Sequence, residues 1–262
     1  MRIGLITPDP GHPLLAAAAA LLGERHEVEV LHPGAGSAGA LADVYLLKAR
    51  TAEALELARA LELRGAPVVN SAAATEGCQD RTAMAARALA AGLPFAPTRT
   101  FASLARLESA TDLQWPLVVK SRHSRKDDLV VRLDGPGGLR ELAPRWSREP
   151  VVTQAFAPNS GWDHKLWVVG DEVFAGLRRS ELADGAGQPP RGPRGLPDGW
   201  AGLALRTGRV FGLEVYGVDV IATEDGSPLI VDVNAFPGIR GQSGAPEALA
   251  ALTLRRAATA AG

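Results

Sequence analysis

Short apolar runs alternate with Ala/Leu-rich stretches at the start of the chain. Arg2 to Ile6, Val28 to Leu31, Asp43 to Lys48 and Pro67 to Asn70 read as strands. Pro13 to Gly23, and a segment capped by Thr51 and running to about Arg64, carry helical spacing. Alternation of this kind predicts a parallel sheet covered by helices. Ser71 and Asp80 stand where helix caps stand, the latter ahead of a helix from about Arg81 to Ala91 that Gly92 ends, and Leu93 to Thr98 reads as a linker. Strands at Trp115 to Lys120 and Leu129 to Leu133 then flank a cation-dense loop, Ser121 to Asp128. Val151 to Ala157 is a further strand, and Lys165 to Gly170 with Val173 to Leu177 form a hairpin turned by Gly170-Asp171 and closed by Arg178 and Arg179. Residues 183–199, rich in Gly and Pro and carrying Arg191 and Arg194, read as a mobile loop. A helix from about Asp198 to Phe211 precedes the next hairpin, and Pro246 to Ala261 is a closing helix.

That hairpin, Tyr216 to Gly238, breaks the apolar rule where it matters. Two β-branched runs flank Asp225-Gly226, a strong turn signal, and each carries an acid where a buried strand would take another Val or Ile. A two-residue loop at Asp225-Gly226 pairs Asp219 directly with Asp232, and Asn234 shares their face because strand side chains alternate. Like charges roughly 5 Å apart across a sheet repel, so such a pair normally holds a cation between its members. Asp, Asp and Asn donate oxygen only, a set suited to Mg²⁺ with phosphates completing its shell. The alternative is a hairpin whose acids are simply solvated.

Composition narrows the classes. With 262 residues and 46% hydrophobic content the chain can bury a sizeable core in one large domain or two to three small lobes. A net charge of −1 argues against nucleic-acid or acidic-membrane partners, and no run reaches the length of a membrane span. The apolar start is too short for a signal peptide, and one cysteine, Cys78, fits a reducing cytoplasm. The first strand-to-helix turn, Thr7 to His12, lacks the glycine fingerprint of dinucleotide binding; Walker, zinc and Gly-x-Ser-x-Gly patterns are absent too.

The order of parts, a small α/β lobe, a strand-Lys-loop-strand unit, Gln154-Ala155-Phe156, a Val-Val-Gly hairpin ending in Arg, then Gly-Val-Asp-Val and Val-Asp-Val-Asn-Ala-Phe-Pro-Gly, resembles the ATP-grasp superfamily. Within it the chain is most similar to the ribosomal S6-modification-type glutamate ligases, and its Asp-x-Asn-Ala-Phe-Pro-Gly is also similar to the inositol trisphosphate 5/6-kinase branch. The resemblance implies an α/β and α+β ATP-grasp fold: an N-terminal α/β lobe at 1–75, a central lobe at 76–153 and a C-terminal lobe with the metal site at 154–262. It implies ATP and Mg²⁺, with Mn²⁺ as an alternative ion. Asp219, Asp232 and Asn234 match the metal ligands, Lys120 the lysine on the α/β-phosphates, and Gln154, Ala155 and Phe156 the adenine-reading strand. Asp163 and Lys165 match a polar-x-basic pair near ribose and phosphates, and Arg179 the arginine that neutralises the transferred phosphoryl group.

Three departures stand out. Arg81 replaces the usual lysine of an Asp-Lys pair at the nucleotide. The loop after Lys120 carries Arg122, His123, Arg125 and Lys126 where glycines are usual, so cationic side chains replace amides or bind an additional anion. Arg240 follows Pro237-Gly238 where an acid is frequent, which bears on substrate preference. The implied activity is an ATP-dependent carboxylate-amine ligase acting on a small molecule or peptide through an acyl phosphate. The alternative is a kinase of the inositol polyphosphate type, favoured by Arg122, Arg125, Lys126, Arg191 and Arg194 as sites for an anionic acceptor.

Overall fold

The computed structural model describes residues 1–34, 39–183 and 196–260. Arg191 and Arg194, with most of the 183–199 segment, lie outside the described residues. The chain opens with β1 (Arg2–Ile6), α1 (Pro13–Gly23), β2 (Glu27–Leu31), β3 (Val44–Leu47), α2 (Ala52–Leu63) and β4 (Val68–Val69). The four strands form a parallel sheet in the order β2-β1-β3-β4. Thr51, Ser71 and Asp80 cap as their positions predict: Thr51 accepts from Ala54 N–H, Ser71 from Ala74 N–H at the start of α3 (Ala72–Gly77), and Asp80 from Thr82 N–H at the start of α4 (Arg81–Ala90).

The middle of the chain holds more structure than its pattern suggests. The expected linker runs into a strand, β5 (Thr98–Phe101), and a short helix α5 (Leu104–Glu108) follows. Next come β6 (Leu117–Ser121), β7 (Val130–Leu133), α6 (Pro136–Trp146) and β8 (Val151–Ala155), which complete an antiparallel sheet in the order β5-β8-β6-β7. A third sheet, also antiparallel, is built from β9 (Asn159–Val169), β10 (Glu172–Arg179), β11 (Val215–Thr223) and β12 (Pro228–Ala235) in the order β10-β9-β11-β12. One face of this sheet packs on α7 (Trp200–Phe211) and α4.

The last helix, α8 (Ala245–Ala260), returns to the beginning. Its Ala248, Leu249 and Leu252 share one core with Leu14, Leu15 and Ala18 of α1 and with Leu46 of β3. A second tie is polar. Asn70, buried at the end of β4, donates through Nδ2 to Val215 O at 2.7 Å and accepts from Glu214 N–H at 2.8 Å and Val215 N–H at 3.0 Å. The first lobe is thus bonded to the start of β11, the strand that carries Asp219.

The β11–β12 hairpin reaches its expected register by an unexpected route. The loop has three residues, Glu224-Asp225-Gly226, rather than two: Thr223 N–H donates to Ser227 O at 3.0 Å and Gly226 N–H to Thr223 O at 2.8 Å. Gly226 takes φ +81°, a left-handed geometry that closes three-residue hairpin loops. Near the tip the pairs are therefore Ala222 with Pro228 and Val220 with Ile230. A β-bulge between Asp219 and Val220 inserts Val231 as the unpaired residue, and beyond it Asp219 faces Asp232 and Gly217 faces Asn234.

Asn70→Ala leaves the Glu214 and Val215 N–H groups without their acceptor, while Val215 O keeps its bond from Phe236 N–H, so it should cost about 2 kcal/mol. Urea denaturation is expected to show the midpoint falling, and a change in slope as well would mean that the lobes unfold separately.

Candidate functional site

Between the two antiparallel sheets lies a cavity of about 220 Å³ with two kinds of wall. One part is apolar, from Val118, Val130, Phe156, Ile221, Leu229 and Val231; the other is charged, from Lys120, Asp163, Lys165, Arg178, Asp219 and Asp232. Each charged residue stands where strand alternation puts it. On β9 Asp163 and Lys165 share a face, and Lys165 is the cross-strand neighbour of Asp219 on β11, itself opposite Asp232 on β12. The charges line up across three adjacent strands.

Two carboxylates side by side need cations, and each has one. Lys165 Nζ lies 2.5 Å from Asp219 Oδ2, and Arg81 Nη2 lies 3.3 Å from Asp232 Oδ2. Burial pushes the Asp219 carboxyl above its usual range; Lys165 opposes that shift and Asp232 adds to it. Lys120 is buried at the end of β6 and donates to the carbonyl of Val231, the residue the bulge leaves unpaired, at 2.7 Å. Burial pulls its amine below the usual lysine range, against the attraction of Asp232.

Arg81 does not line the cavity. Its Nη1 donates to Ser121 O at 2.8 Å and to Asp128 Oδ2 at 2.6 Å, so the residue ties α4, the 121–128 loop and β12 together. The loop's other arginines are also committed. Arg122 donates to Asp80 through Nε and Nη2, the latter at 2.6 Å, and Arg125 donates to Glu149 at 2.6 Å. Two of the cations expected to replace phosphate-wrapping amides or bind a further anion, Arg122 and Arg125, are thus paired with acids of the protein and no longer support the kinase reading. Lys126 is exposed.

Among the other expected residues, Gln154, Ala155 and Phe156 line the cavity. Gln154 is buried and donates to Thr98 Oγ1 at 3.0 Å, while Phe156 N–H is already bonded to Pro116 O, leaving its ring, under the Arg132 guanidinium at 4.1 Å, as its contribution to the wall. Asn234 is half-buried one alternation beyond Asp232, outside the cavity itself. Both arginines are exposed; Arg179 pairs with Trp162 in the ladder, and the arginine in the wall is its neighbour Arg178, opposite Asp163 and ion-paired with Glu181. The signal for Arg178 was present, because a two-residue Gly170-Asp171 loop pairs Asp163 with residue 178.

The donor set fits a hard divalent ion. Asp219, Asp232 and Asn234 offer oxygen alone, and the two acids carry a shared charge that Lys165 and Arg81 answer only by reaching in from neighbouring elements. Among the described residues no group of three His, Cys, Asp or Glu side chains gathers for a metal.

The sequence and fold were compared with known proteins. A model of the RimK-like ATP-grasp domain matches residues 98–247. A probable alpha-L-glutamate ligase of Xanthomonas campestris is 35% identical over 105 residues, 36% of this chain and 34% of that protein. The ribosomal protein bS6–L-glutamate ligase of Escherichia fergusonii is 37% identical over 96 residues, 35% of this chain and 32% of that protein. The chain thus covers about a third of the length of these curated relatives. Among solved structures, a RimK domain ATP-grasp protein from Sphaerobacter thermophilus superposes with a TM-score of 0.75 at 24% identity, over 97% of this chain and 100% of the other. The ATP-grasp ligase PsnB, complexed with minimal precursor, Mg and ADP, gives 0.71 at 17% identity over 98% and 97%. At these identities the likeness establishes the fold.

One consequence of the loop ties is measurable. Burial opposes the charge on Asp80, but hydrogen bonds from Arg122 and from the Thr82 and Ala83 N–H groups outweigh it and hold the carboxyl below its usual range. A carboxyl lowered in the folded state adds stability above its unfolded pKa and loses it as pH falls through the folded one. Asp80→Ala should therefore cost about 1 to 2 kcal/mol at pH 7, the sum of a helix cap and a partly exposed ion pair. Urea titrations repeated towards pH 3 should show the difference from the native protein shrinking.

Proposed function

Because the chain belongs to the RimK-like ATP-grasp family, we propose that it is an ATP- and Mg²⁺-dependent ligase that joins a carboxylate to the amine of an amino acid or peptide through an acyl phosphate. The observation that carries this reading is the facing pair Asp219 and Asp232 in a cleft that also holds Lys120, Lys165 and Arg178. Relatives named as glutamate ligases support the reaction class. The apolar wall of Val118, Val130 and Phe156 suits a purine and the charged wall a triphosphate. We assign residues 1–75, 76–153 and 154–262 to three lobes, each built on one sheet except that β8 of the central sheet runs two residues past the second boundary, to Ala155.

In this reading Asp219, Asp232 and Asn234 hold the ion, which supplies neutralising charge to the phosphates when bound. Mn²⁺ offers the same oxygen chemistry. With the two acids engaged by an ion, Lys165, which pairs with Asp219 in this structure, would be available to phosphate, and Arg81 would keep its bonds to Ser121 O and Asp128. Lys120, fixed by Val231 O, is a point charge for the same group. Asp163 lies with Lys165 beside the ribose and phosphates, and Gln154, Ala155 and Phe156 flank the base. Arg178 takes the place over the transferred phosphoryl group that the family pattern gives to Arg179, because Arg178 is in the wall. A carboxylate oxygen of the substrate attacks the γ-phosphorus and ADP departs with the bridging oxygen. The amine then attacks the acyl carbon, phosphate leaves with the acyl oxygen, and the nitrogen gives up a proton.

No side-chain nucleophile takes part. Burial pushes the Cys78 thiol up to about 12, which keeps it protonated at neutral pH. A buried, lone cysteine supports a reducing cytoplasm as the setting. Among the described residues no helix is long and apolar enough to cross a membrane.

Incubation with ATP, Mg²⁺ and a panel of amino acids and short peptides should release ADP and yield a product heavier by the condensed amine. A panel that gives neither ADP above background nor any such product sinks the ligase reading. Asp219→Asn and Asp232→Asn should each lower turnover by about 100-fold or more, on the scale of losing one preorganised charge at a reacting phosphate.

A further inference from the structure

The ends of β1 and β3 at the carboxyl edge of the parallel sheet are adjacent, and in open α/β sheets a crevice of this kind is where ligands bind. The Thr7-to-His12 turn leaves β1 there, and Lys48 follows β3. The loop after β12 runs over the same edge. Phe236, buried at φ +42°, sits under Lys48 Nζ at 5.7 Å from its ring centre. A side chain at Gly238 would come within 3.3 Å of His12 Nε2 and 4.0 Å of Arg240 Nε. Two cationic side chains, Lys48 and Arg240, and the His12 imidazole, from three parts of the chain, therefore surround one turn.

Little in the protein answers them. Burial, then the charge of Lys48, depresses the His12 imidazole below its usual value, and burial with Arg50 lowers the Lys48 amine to about 8; Asp9 opposes both shifts and loses. His12 Nδ1 is buried with no hydrogen-bond partner, and as the residue before α1 His12 does not cap that helix. The open N–H groups of the first turn of α1 add positive potential on the same side. An anion seated among them would supply the missing negative charge and favour the charged forms of Lys48 and His12.

We propose that His12, Lys48 and Arg240 form an anion subsite that holds a second carboxylate of the acceptor substrate, one that is not consumed in the reaction. Gly238 follows the metal-facing Asn234 by four residues, at most about 13 Å of extended chain. That is an upper limit, within which a dicarboxylate of amino-acid or dipeptide size can place one carboxylate at the cleft and the other against the cations. The acceptor role rests on the ligase reading; the binding of a compact anion does not. It also gives Arg240 a purpose where the family pattern has an acid.

The test compares glutarate with butyrate by calorimetry on the full chain saturated with Mg²⁺ and ADP. Glutarate should bind at least tenfold more tightly than butyrate, and Lys48→Met or Arg240→Gln should bring the ratio close to one while ADP affinity stays unchanged. Arg240 is exposed, so its replacement leaves folding intact and keeps the result readable if Lys48→Met proves unstable. Equal binding of the two acids by the native protein, or a preference that survives in the Arg240 variant, overturns the subsite. Inorganic phosphate binding more tightly than glutarate at the same residues overturns the assignment to a carboxylate. A glutarate preference that depends on Lys48 and Arg240 in a protein that turns over no acceptor supports the subsite and removes the ligase reading instead.

Discussion

Two carboxylates on adjacent strands repel one another, and most of the cleft can be understood as the answer to that repulsion. Asp219 and Asp232 cannot drift apart, because the ladder fixes their backbones, and both are half-buried in the wall of the cleft. Charge has to come from elsewhere. Lys165 reaches across from β9, Arg81 from α4, and Lys120 stands close enough for both acids to stabilise its charge. Arg81 in turn is shared with Asp128, whose loop is held to α4 by Arg122 and Asp80. An alternating chain of charges therefore links elements that are far apart in sequence. Removing one partner from such a buried set costs about 3 to 5 kcal/mol, since the remaining charge is left uncompensated.

The charges of the cleft are not what holds the lobes together. The fold is secured elsewhere: by Asn70, whose side chain closes three hydrogen bonds on the start of β11, and by α8, which buries its apolar face on α1 and β3. Both ties run between the first lobe and the sheet that bears the acids. They also set the distance between the cleft and the crevice at the end of the parallel sheet.

The parallel lobe and the caps were legible because each rests on a local rule, alternation or a side-chain acceptor before a helix, whereas the facing acids were reached from a two-residue turn and hold because the longer loop and the bulge at Val231 offset one another. Helix α6 was hidden because its first turn is Pro-Gly-Gly, which reads as loop even though proline at the first helical position is favourable. Helix α5 has five residues, too few for periodicity. The 121–128 loop was misjudged for a different reason. Its arginines looked available because their partners, Asp80 and Glu149, are distant in sequence. Arg81 follows the same logic: charge type is visible in the sequence, but the partner that neutralises it is tertiary. Arg178 and Arg179 were separable in principle, since the hairpin register alone decides which of them enters the cleft.

The hairpin between β11 and β12 has one residue more at its tip than a tight turn needs and one residue more at Val231, on the way back to the site. The two offsets cancel, so the tip acts as a length compensator rather than as part of the site. Residues 224–227 are all exposed. Insertions at the tip are absorbed before they reach the bulge, and the rotation of Asp232 about its strand stays fixed. For protein engineering this is an anchorage for grafted sequence: a reporter or tether spliced there rides on the lobe that carries the acids.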